Sequence, residues 1–112
     1  MFDMFSMLGK LGDVKKKIEE VKESLPNIIL EESELDGVVK ITITASREIK
    51  KIETSDEFYT KYSKDERESI LVEAVNNAIH KAEARSKEEM TKNLQGIVPN
   101  IPGVDIGSLL GA

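Results

Sequence analysis

The sequence predicts an α+β fold in which a helix, a three-stranded antiparallel sheet and a second, longer helix follow one another. Apolar residues recur every three or four positions near the N-terminus and again over residues 64–93, a spacing typical of helices. Between these segments, residues 39–45 alternate between apolar and polar side chains, as in a half-buried strand. An Asp-Gly pair just before this strand indicates a hairpin turn.

The first helix, expected over residues 2–24, carries a heptad seam of the kind by which one helix packs along another. Pro26 ends it, because the residue before a proline is driven out of the α region. At about 1.5 Å per residue the helix would be about 33 Å long, too long for the rest of a small globule to cover. We therefore expect a second long helix and another copy of the chain to pack on the seam, which consists of Met4, Met7, Leu11, Val14, Ile18 and Val21.

Three strands are expected next, over residues 27–35, 39–45 and 48–54. The first two are joined at Asp36-Gly37 and the last two at Ser46-Arg47. In the third strand, Ile49 and Ile52 are three positions apart, which breaks the period of two. That spacing indicates either a β-bulge or a loose edge strand.

The second helix begins at a capping box, with Ser63 as the N-cap and Glu66 bonding back to it. Ala74, Ala78 and Ala82 recur every four residues and would let another helix approach closely. Helices of about 33 and 45 Å exceed strands of about 26 Å, so both helices should overhang the sheet, with Met4 and Met90 near the overhanging ends.

The expected α-β-β-β-α domain covers residues 1–95. Residues 96–112 form an apolar tail that contains glycine and proline. Two interpretations of this tail remain open: a segment that clips onto a partner subunit, or a disordered end.

Composition excludes several classes of function. The chain has no cysteine, which excludes disulfides and thiolate chemistry and fits a reducing cytoplasm. It has neither an apolar stretch of about 18 residues for a membrane span nor a basic segment at its start for secretion. The single histidine, His80, lacks partners for catalysis or metal binding, and the acidic run from Glu31 to Asp36 lacks the glycine of a calcium loop. We expect a non-enzymatic protein without metal or cofactor.

Charge is unevenly distributed. The formal net charge is −5, which argues mildly against indiscriminate binding to nucleic acid. Residues 1–25 are neutral, whereas residues 26–63 are clearly acidic. On the residues alone, the basic side chains of the helices are most simply a salt-bridged surface, since glutamates alternate with them. A dimer would present each basic cluster twice across one gap, which favours DNA contact by Lys10, Lys15, Lys16, Lys17, Lys81, Arg85, Lys87 and Lys92.

Several segments resemble a known family. They are the Met1-Phe2 opening, GVVKITI at 37–43, IKKIE at 49–53, EAVNNAIHKA at 73–82 and KEEM at 87–90. With the order of elements and the Gly/Pro-containing tail, they resemble the YbaB/EbfC family of small bacterial nucleoid-associated proteins. The resemblance covers nearly the whole chain. It rests on the combined agreement of element order, chain length and several sequence segments with the family.

The resemblance implies a cytoplasmic, nucleoid-associated homodimer that binds DNA near its protruding helices in a tweezer-like arrangement. One segment departs from the family. The family's first helix is rich in glutamine and methionine, whereas residues 14–21 here keep the heptad spacing without glutamine. The expected function is binding of duplex DNA through phosphate contacts. The alternative is a protein-interaction or scaffold module that uses the apolar arm tips Met4, Phe5, Met7 and Leu8.

Overall fold

A computed structural model describes the backbone of residues 4–95 and the side chains of residues 9–95. The three strands form one antiparallel sheet in the order β1-β2-β3, which confirms the predicted fold class. A short helix between the sheet and the long helix was not predicted. The tail, residues 96–112, lies outside the described residues. The elements are α1 (Met4–Ser24), β1 (Ile29–Glu34), β2 (Val39–Thr44), β3 (Ile49–Thr54), α2 (Asp56–Thr60) and α3 (Lys64–Leu94).

Local signals in the sequence fix the element boundaries. Asp36 and Gly37 have φ values of 55° and 95° in the turn between β1 and β2, a conformation that both residue types tolerate. Ser63 and Glu66 form the predicted capping box at the start of α3, with both reciprocal hydrogen bonds present. These contacts satisfy N–H groups that the first turn of a helix leaves without partners.

The predicted bulge is present in β3. Thr42 pairs with Lys51 and Ile43 pairs with Ile49, so Lys50 is the extra residue. Because of this insertion, Ile49 and Ile52 lie on the same face of the sheet despite their spacing of three.

The main core lies between the sheet and α3. Val39, Ile41 and Ile43 of β2 are completely buried, and Ala74, Ala78 and Ala82 of α3 are completely buried against them. The alanine spacing predicts another helix at this position, but the sheet occupies it. Small side chains allow the α3 backbone to lie close to the sheet, where Phe58 of α2 closes one end of the core.

α3 packs mainly against β1 and β2, and much less against β3. Ile52 pairs with Ile41 and therefore shares its face, yet Ile52 is 47% exposed whereas Ile41 is buried. Ile49 is likewise 37% exposed. β3 is thus an edge strand with apolar side chains in contact with solvent.

A second core joins α1 to the far end of α3. Val21 and Leu25 pack against Met90 and Leu94, with Val14 and Ile18 partly buried beside them, while Leu11 is 58% exposed. Of the seam residues whose side chains are described, the predicted second helix therefore covers Val14, Ile18 and Val21 and leaves Leu11 exposed. Met90 lies buried at this junction. The side chains of Met4 and Met7 lie outside the described ones.

The two helices extend far beyond the sheet, as predicted. At about 1.5 Å per residue, the 21 residues of α1 span about 32 Å and the 31 residues of α3 about 46 Å, whereas a strand of six residues spans about 20 Å. The part of the molecule formed by α1 and residues 81–94 of α3 is called the arm below, and residues 26–80 are called the body.

Candidate nucleic-acid interface

Four of the five lysines of α1 flank its apolar seam, whereas Lys16 lies on the outer face at position f. With Val14 and Val21 at heptad position d, Lys10 and Lys17 occupy position g and Lys15 occupies position e. The acidic residues of the helix lie on its outer positions b, c and f: Asp13, Glu19, Glu20 and Glu23. The side of α1 that carries the partly uncovered seam is therefore also its positively charged side.

Three of the four predicted basic residues on α1 point into solvent. Lys10, Lys15 and Lys16 are exposed, and none makes an ion pair with another side chain of residues 9–95. The fourth, Lys17, is partly exposed, and its Nζ lies 3.5 Å from Glu20 Oε2. An exposed pair of this kind is weak, so it holds Lys17 only loosely.

Lys81 lies where the arm meets the body. Its Nζ donates a 2.6 Å hydrogen bond to the carbonyl oxygen of Glu31 and lies 3.4 Å from Glu32 Oε2. These contacts bind the side chain to β1, because the face of α3 that carries Lys81 is the one turned toward that strand. The Lys81 ammonium group therefore already interacts with a carbonyl oxygen and a carboxylate of β1.

Arg85 is also engaged within the protein. Its Nε donates a 3.0 Å hydrogen bond to Glu89 Oε1 one turn later on α3, where the Glu89 side chain is only 18% exposed. Lys81 and Arg85 share one helix face as the sequence predicts, but the structure gives each of them an internal partner.

Lys87 and Lys92 lie on the exposed side of α3 near its end and make no ion pair with any described side chain. Lys22 of α1 belongs with them, since it is exposed and occupies heptad position e. Sequence reasoning missed Lys22, although its heptad position was a signal that could have included it. The exposed basic groups of the arm without a described ion pair are thus Lys10, Lys15, Lys16, Lys22, Lys87 and Lys92.

Net charge differs in sign between the arm and the body. Residues 4–24 and 81–94 together carry nine basic and seven acidic side chains, a net charge of +2. Residues 26–80 carry seven basic and twelve acidic side chains, a net charge of −5. The formal charge of the arm is therefore more favourable to a polyanion than that of the body.

The acidic run at the end of β1 has structural partners. Glu32 pairs with Lys81, and Glu34 accepts a 2.6 Å hydrogen bond from Asn77 Nδ2. His80 is exposed on α3. Among residues 9–95, no group of three or more His, Cys, Asp or Glu side chains is placed to hold a metal ion. The helices of the described segment include none with the length and apolarity that crossing a membrane requires.

Comparison with known proteins adds independent information. The sequence profile of the YbaB/EbfC DNA-binding family matches residues 1–97. A nucleoid-associated protein from Flavobacterium johnsoniae is 35% identical over 103 residues, which cover 92% of this chain and 95% of that protein. Another from Dictyoglomus turgidum is 30% identical over 104 residues, 93% of this chain and 99% of that protein.

A solved structure has the same fold. The crystal structure of the uncharacterized protein HP0035 from Helicobacter pylori matches with a TM-score of 0.68 at 19% identity. The match covers 84% of this chain and 99% of that one.

Proposed function

The chain belongs to the YbaB/EbfC DNA-binding family, and from this premise we propose that it binds duplex DNA as a homodimer through phosphate contacts made by the arm. The observation that carries the proposal is the distribution of lysines. Exposed lysines without a described ion pair concentrate on α1 and the end of α3, where the net charge is +2, whereas the body has a net charge of −5.

The chemistry of these lysines favours phosphate contact over base reading. An ammonium group on a flexible stem is a point charge that suits phosphate oxygens. The described part of α1 lacks the glutamines that could bond to bases, and phosphate contacts position a protein without reading sequence. We expect modest affinity with little sequence preference, and a dissociation constant of about 10⁻⁴ to 10⁻⁶ M.

The homodimer is supported by apolar side chains that one copy leaves exposed. Ile49 and Ile52 of β3 and Val72 of α3 are between 37% and 62% exposed. A second copy would cover such residues and place two arms on one assembly, so that each lysine cluster acts twice. We propose a nucleoid location on the same grounds, since the relatives are named as nucleoid-associated proteins.

The test compares arm and body lysines at equal charge change. Lys15→Gln with Lys16→Gln removes two arm charges, and Lys61→Gln with Lys64→Gln removes two exposed body charges. Binding to a labelled random-sequence duplex is measured by fluorescence anisotropy across a salt series. For the arm variant we expect weaker binding to every duplex and a salt slope shallower by about 0.9 per lost phosphate contact. The body variant should bind as tightly as the wild type, or slightly more weakly.

Two results would contradict the proposal. One is the absence of binding to any duplex at low salt. The other is an equal loss of affinity in the arm and body variants. Binding would then depend on the net charge of the protein and not on the position of the lysines.

A protein partner is the second candidate, favoured by the exposure of Leu11. This residue continues the seam beyond its covered part and is 58% exposed on the positively charged side of α1. A partner that packs on this surface would bind mainly through apolar contact, and its affinity would depend little on salt. Leu11→Gln would then weaken partner binding and leave duplex binding unchanged.

A further inference from the structure

The seam of α1 offers apolar surface beside α3. Val14 and Ile18 are only partly buried against the second core, and Leu11, about one turn before Val14, is 58% exposed. The helical backbone continues from Leu11 to Met4, so the heptad pattern runs for about two further turns in the same direction. A helix that packs on α1 beside α3 would therefore contact Leu11 and the accessible sides of Val14 and Ile18.

The width of the seam indicates what fits it. Within residues 9–24, the large apolar side chains occupy only heptad positions a and d. A stripe confined to these two positions is the narrow seam by which one helix contacts another. A helix that lies on a lipid surface instead buries a whole apolar face. The seam therefore fits a second helix with apolar residues at its own positions a and d.

Charge is segregated around α1. The positions that flank the seam, e and g, carry Lys10, Lys15, Lys17 and Lys22, whereas the carboxylates of the helix lie on its outer positions. Among the described side chains, these four lysines make one ion pair, between Lys17 and Glu20 of the same helix. No described carboxylate of α3 pairs with them. A helix that packs on the seam therefore meets positive charge on both of its flanks.

The α1 helix of a second copy is a poor occupant of this seam. In a parallel pair of helices, position g of one helix lies next to position e of the other, and in an antiparallel pair like positions meet. Lysine would lie next to lysine in both arrangements, for example Lys10 next to Lys15 in the parallel one. Like charges at these positions disfavour pairing. The flanking charges therefore favour a different partner.

We propose that the seam around Leu11 docks an amphipathic helix of a partner protein that carries carboxylates at positions e and g. This inference rests on the protein partner given above as the second candidate function, and it names the chemistry of that partner. Apolar contact with Leu11 supplies most of the affinity. Ion pairs with Lys10 and Lys15 determine which helix binds, since charges at the rim of an interface give specificity more than affinity.

The docked helix and DNA compete for the same lysines. Lys10 and Lys15 flank Leu11 and also belong to the lysines proposed to contact phosphate. An ammonium group that pairs with a partner carboxylate is not available to a phosphate. The partner therefore releases the arm from duplex DNA.

Two synthetic peptides test the chemistry of the partner. Each has about four heptads with isoleucine at position a and leucine at position d, and they differ only in carrying glutamate or lysine at positions e and g. Each peptide repels its own copies and so stays free to bind the protein. Fluorescence anisotropy of the labelled peptides, titrated with the full-length chain, should give a dissociation constant at least about tenfold lower for the acidic peptide.

Two neighbouring lysines provide matched variants. Lys15→Glu reverses a charge at position e, whereas Lys16→Glu makes the same change at the outer position f, and both side chains are exposed without a described ion pair. We expect Lys15→Glu to reduce the preference for the acidic peptide about tenfold. Lys16→Glu should change this preference less than about twofold, because its charge is directed away from the seam. Leu11→Gln should weaken the binding of both peptides.

The outcomes separate this inference from the functions on which it builds. Absence of binding to either peptide, or binding that Leu11→Gln leaves unchanged, would refute the docking surface itself. Binding of phosphatidylglycerol vesicles that depends on Leu11, without peptide binding, would assign the seam to a lipid surface. Peptide binding that depends on Leu11 but shows no preference for the acidic peptide would refute only the acidic partner, as would equal effects of Lys15→Glu and Lys16→Glu. These titrations contain no DNA, so they are independent of whether the chain binds duplex.

The competition is measured with a labelled duplex bound to the protein at low salt. The control is a scrambled peptide with the composition and net charge of the acidic peptide but without its heptad pattern. We expect the acidic peptide to displace the duplex at a concentration at least about fivefold lower than the scrambled one, since general screening by charge is common to both. Equal displacement by the two peptides would refute competition at the seam.

Discussion

The Lys81 ammonium group donates a 2.6 Å hydrogen bond to the main-chain carbonyl of Glu31, fifty residues earlier in the chain. This contact joins the middle of α3 to the outer edge of β1. It has two consequences: it occupies a carbonyl that another strand could have used, and it engages the Lys81 ammonium group within the protein.

The first prediction follows from that contact. Lys81→Gln should lower the free energy of unfolding by at most about 1 kcal/mol, because the ion pair is partly exposed. It should leave the salt slope of duplex binding unchanged. Lys15→Gln, with the same charge change on α1, should leave stability unchanged and reduce that slope by about 0.9. Urea unfolding measures stability, and anisotropy titrations measure the salt slope. A reduced salt slope in Lys81→Gln would contradict the prediction, because Lys81 would then also contact a phosphate.

The second prediction compares a buried residue of the second core with Leu11, the exposed residue of the described part of the seam. Leu94→Ala should destabilise the protein by about 2–5 kcal/mol, because Leu94 is 1% exposed in the second core. Leu11→Ala removes the same atoms from a 58% exposed side chain and should change stability by less than about 0.5 kcal/mol. Urea unfolding at low protein concentration makes the comparison. A large loss for Leu11→Ala would mean that the uncovered seam has a partner in solution.

The third prediction tests the close approach of α3 to the sheet. Ala78→Leu adds three carbon atoms where Ala78 is fully buried against the sheet and should destabilise the fold by about 1–3 kcal/mol. Ala84→Leu makes the same change at an exposed position of α3 and should be nearly neutral. Thermal unfolding distinguishes them. Similar melting temperatures for the two variants would show that the helix can move away from the sheet at little cost.

The fourth prediction is the pH dependence of the capping box. A hydrogen bond from the Ser63 backbone N–H, and then one involving its side chain, holds the pKa of Glu66 below its ordinary value of 4.5. A lowered folded-state pKa means that this stabilisation is complete above the unfolded pKa and is lost as pH falls through the folded pKa. Glu66→Gln should therefore lower the free energy of unfolding more at pH 7 than at pH 3.

The matched variant for that experiment is Ser63→Ala. It keeps the backbone N–H that bonds Glu66 but removes the side-chain cap, and it should lower stability by about 1 kcal/mol at both pH values. Urea unfolding of both variants at the two pH values provides the data. An effect of Glu66→Gln that stays constant with pH would mean that its carboxylate charge adds nothing to folding.

Local signals explain why much of the fold could be predicted. The Ser63 capping box and the spacing of Ile49 and Ile52 are readable from a few adjacent residues, and both features are present. The environment of Lys81 could not be predicted in this way. A helical wheel places it beside Arg85, but only the packing of α3 on the sheet determines that this face meets β1.

Helix α2 was missed for a related reason. Its five residues carry no periodic pattern, and it is held by the burial of one side chain, Phe58, at the end of the main core. The sequence predicts which two helices carry the basic side chains of the candidate site. Which of its lysines are engaged depends on distances between residues far apart in sequence.

The two helices of the arm differ in stiffness. α3 runs over 31 residues without glycine or proline. Its first half packs on the sheet, which fixes the direction of the rest of the helix. α1 contains Gly9 and Gly12 in its exposed half, where an added Cβ would meet nothing within 4 Å. Since glycine weakens a helix by about 0.5–1 kcal/mol relative to alanine, bending is easiest there. If binding to a surface required the arm to change shape, α1 would bend at Gly9 and Gly12, while α3 would keep its angle to the sheet.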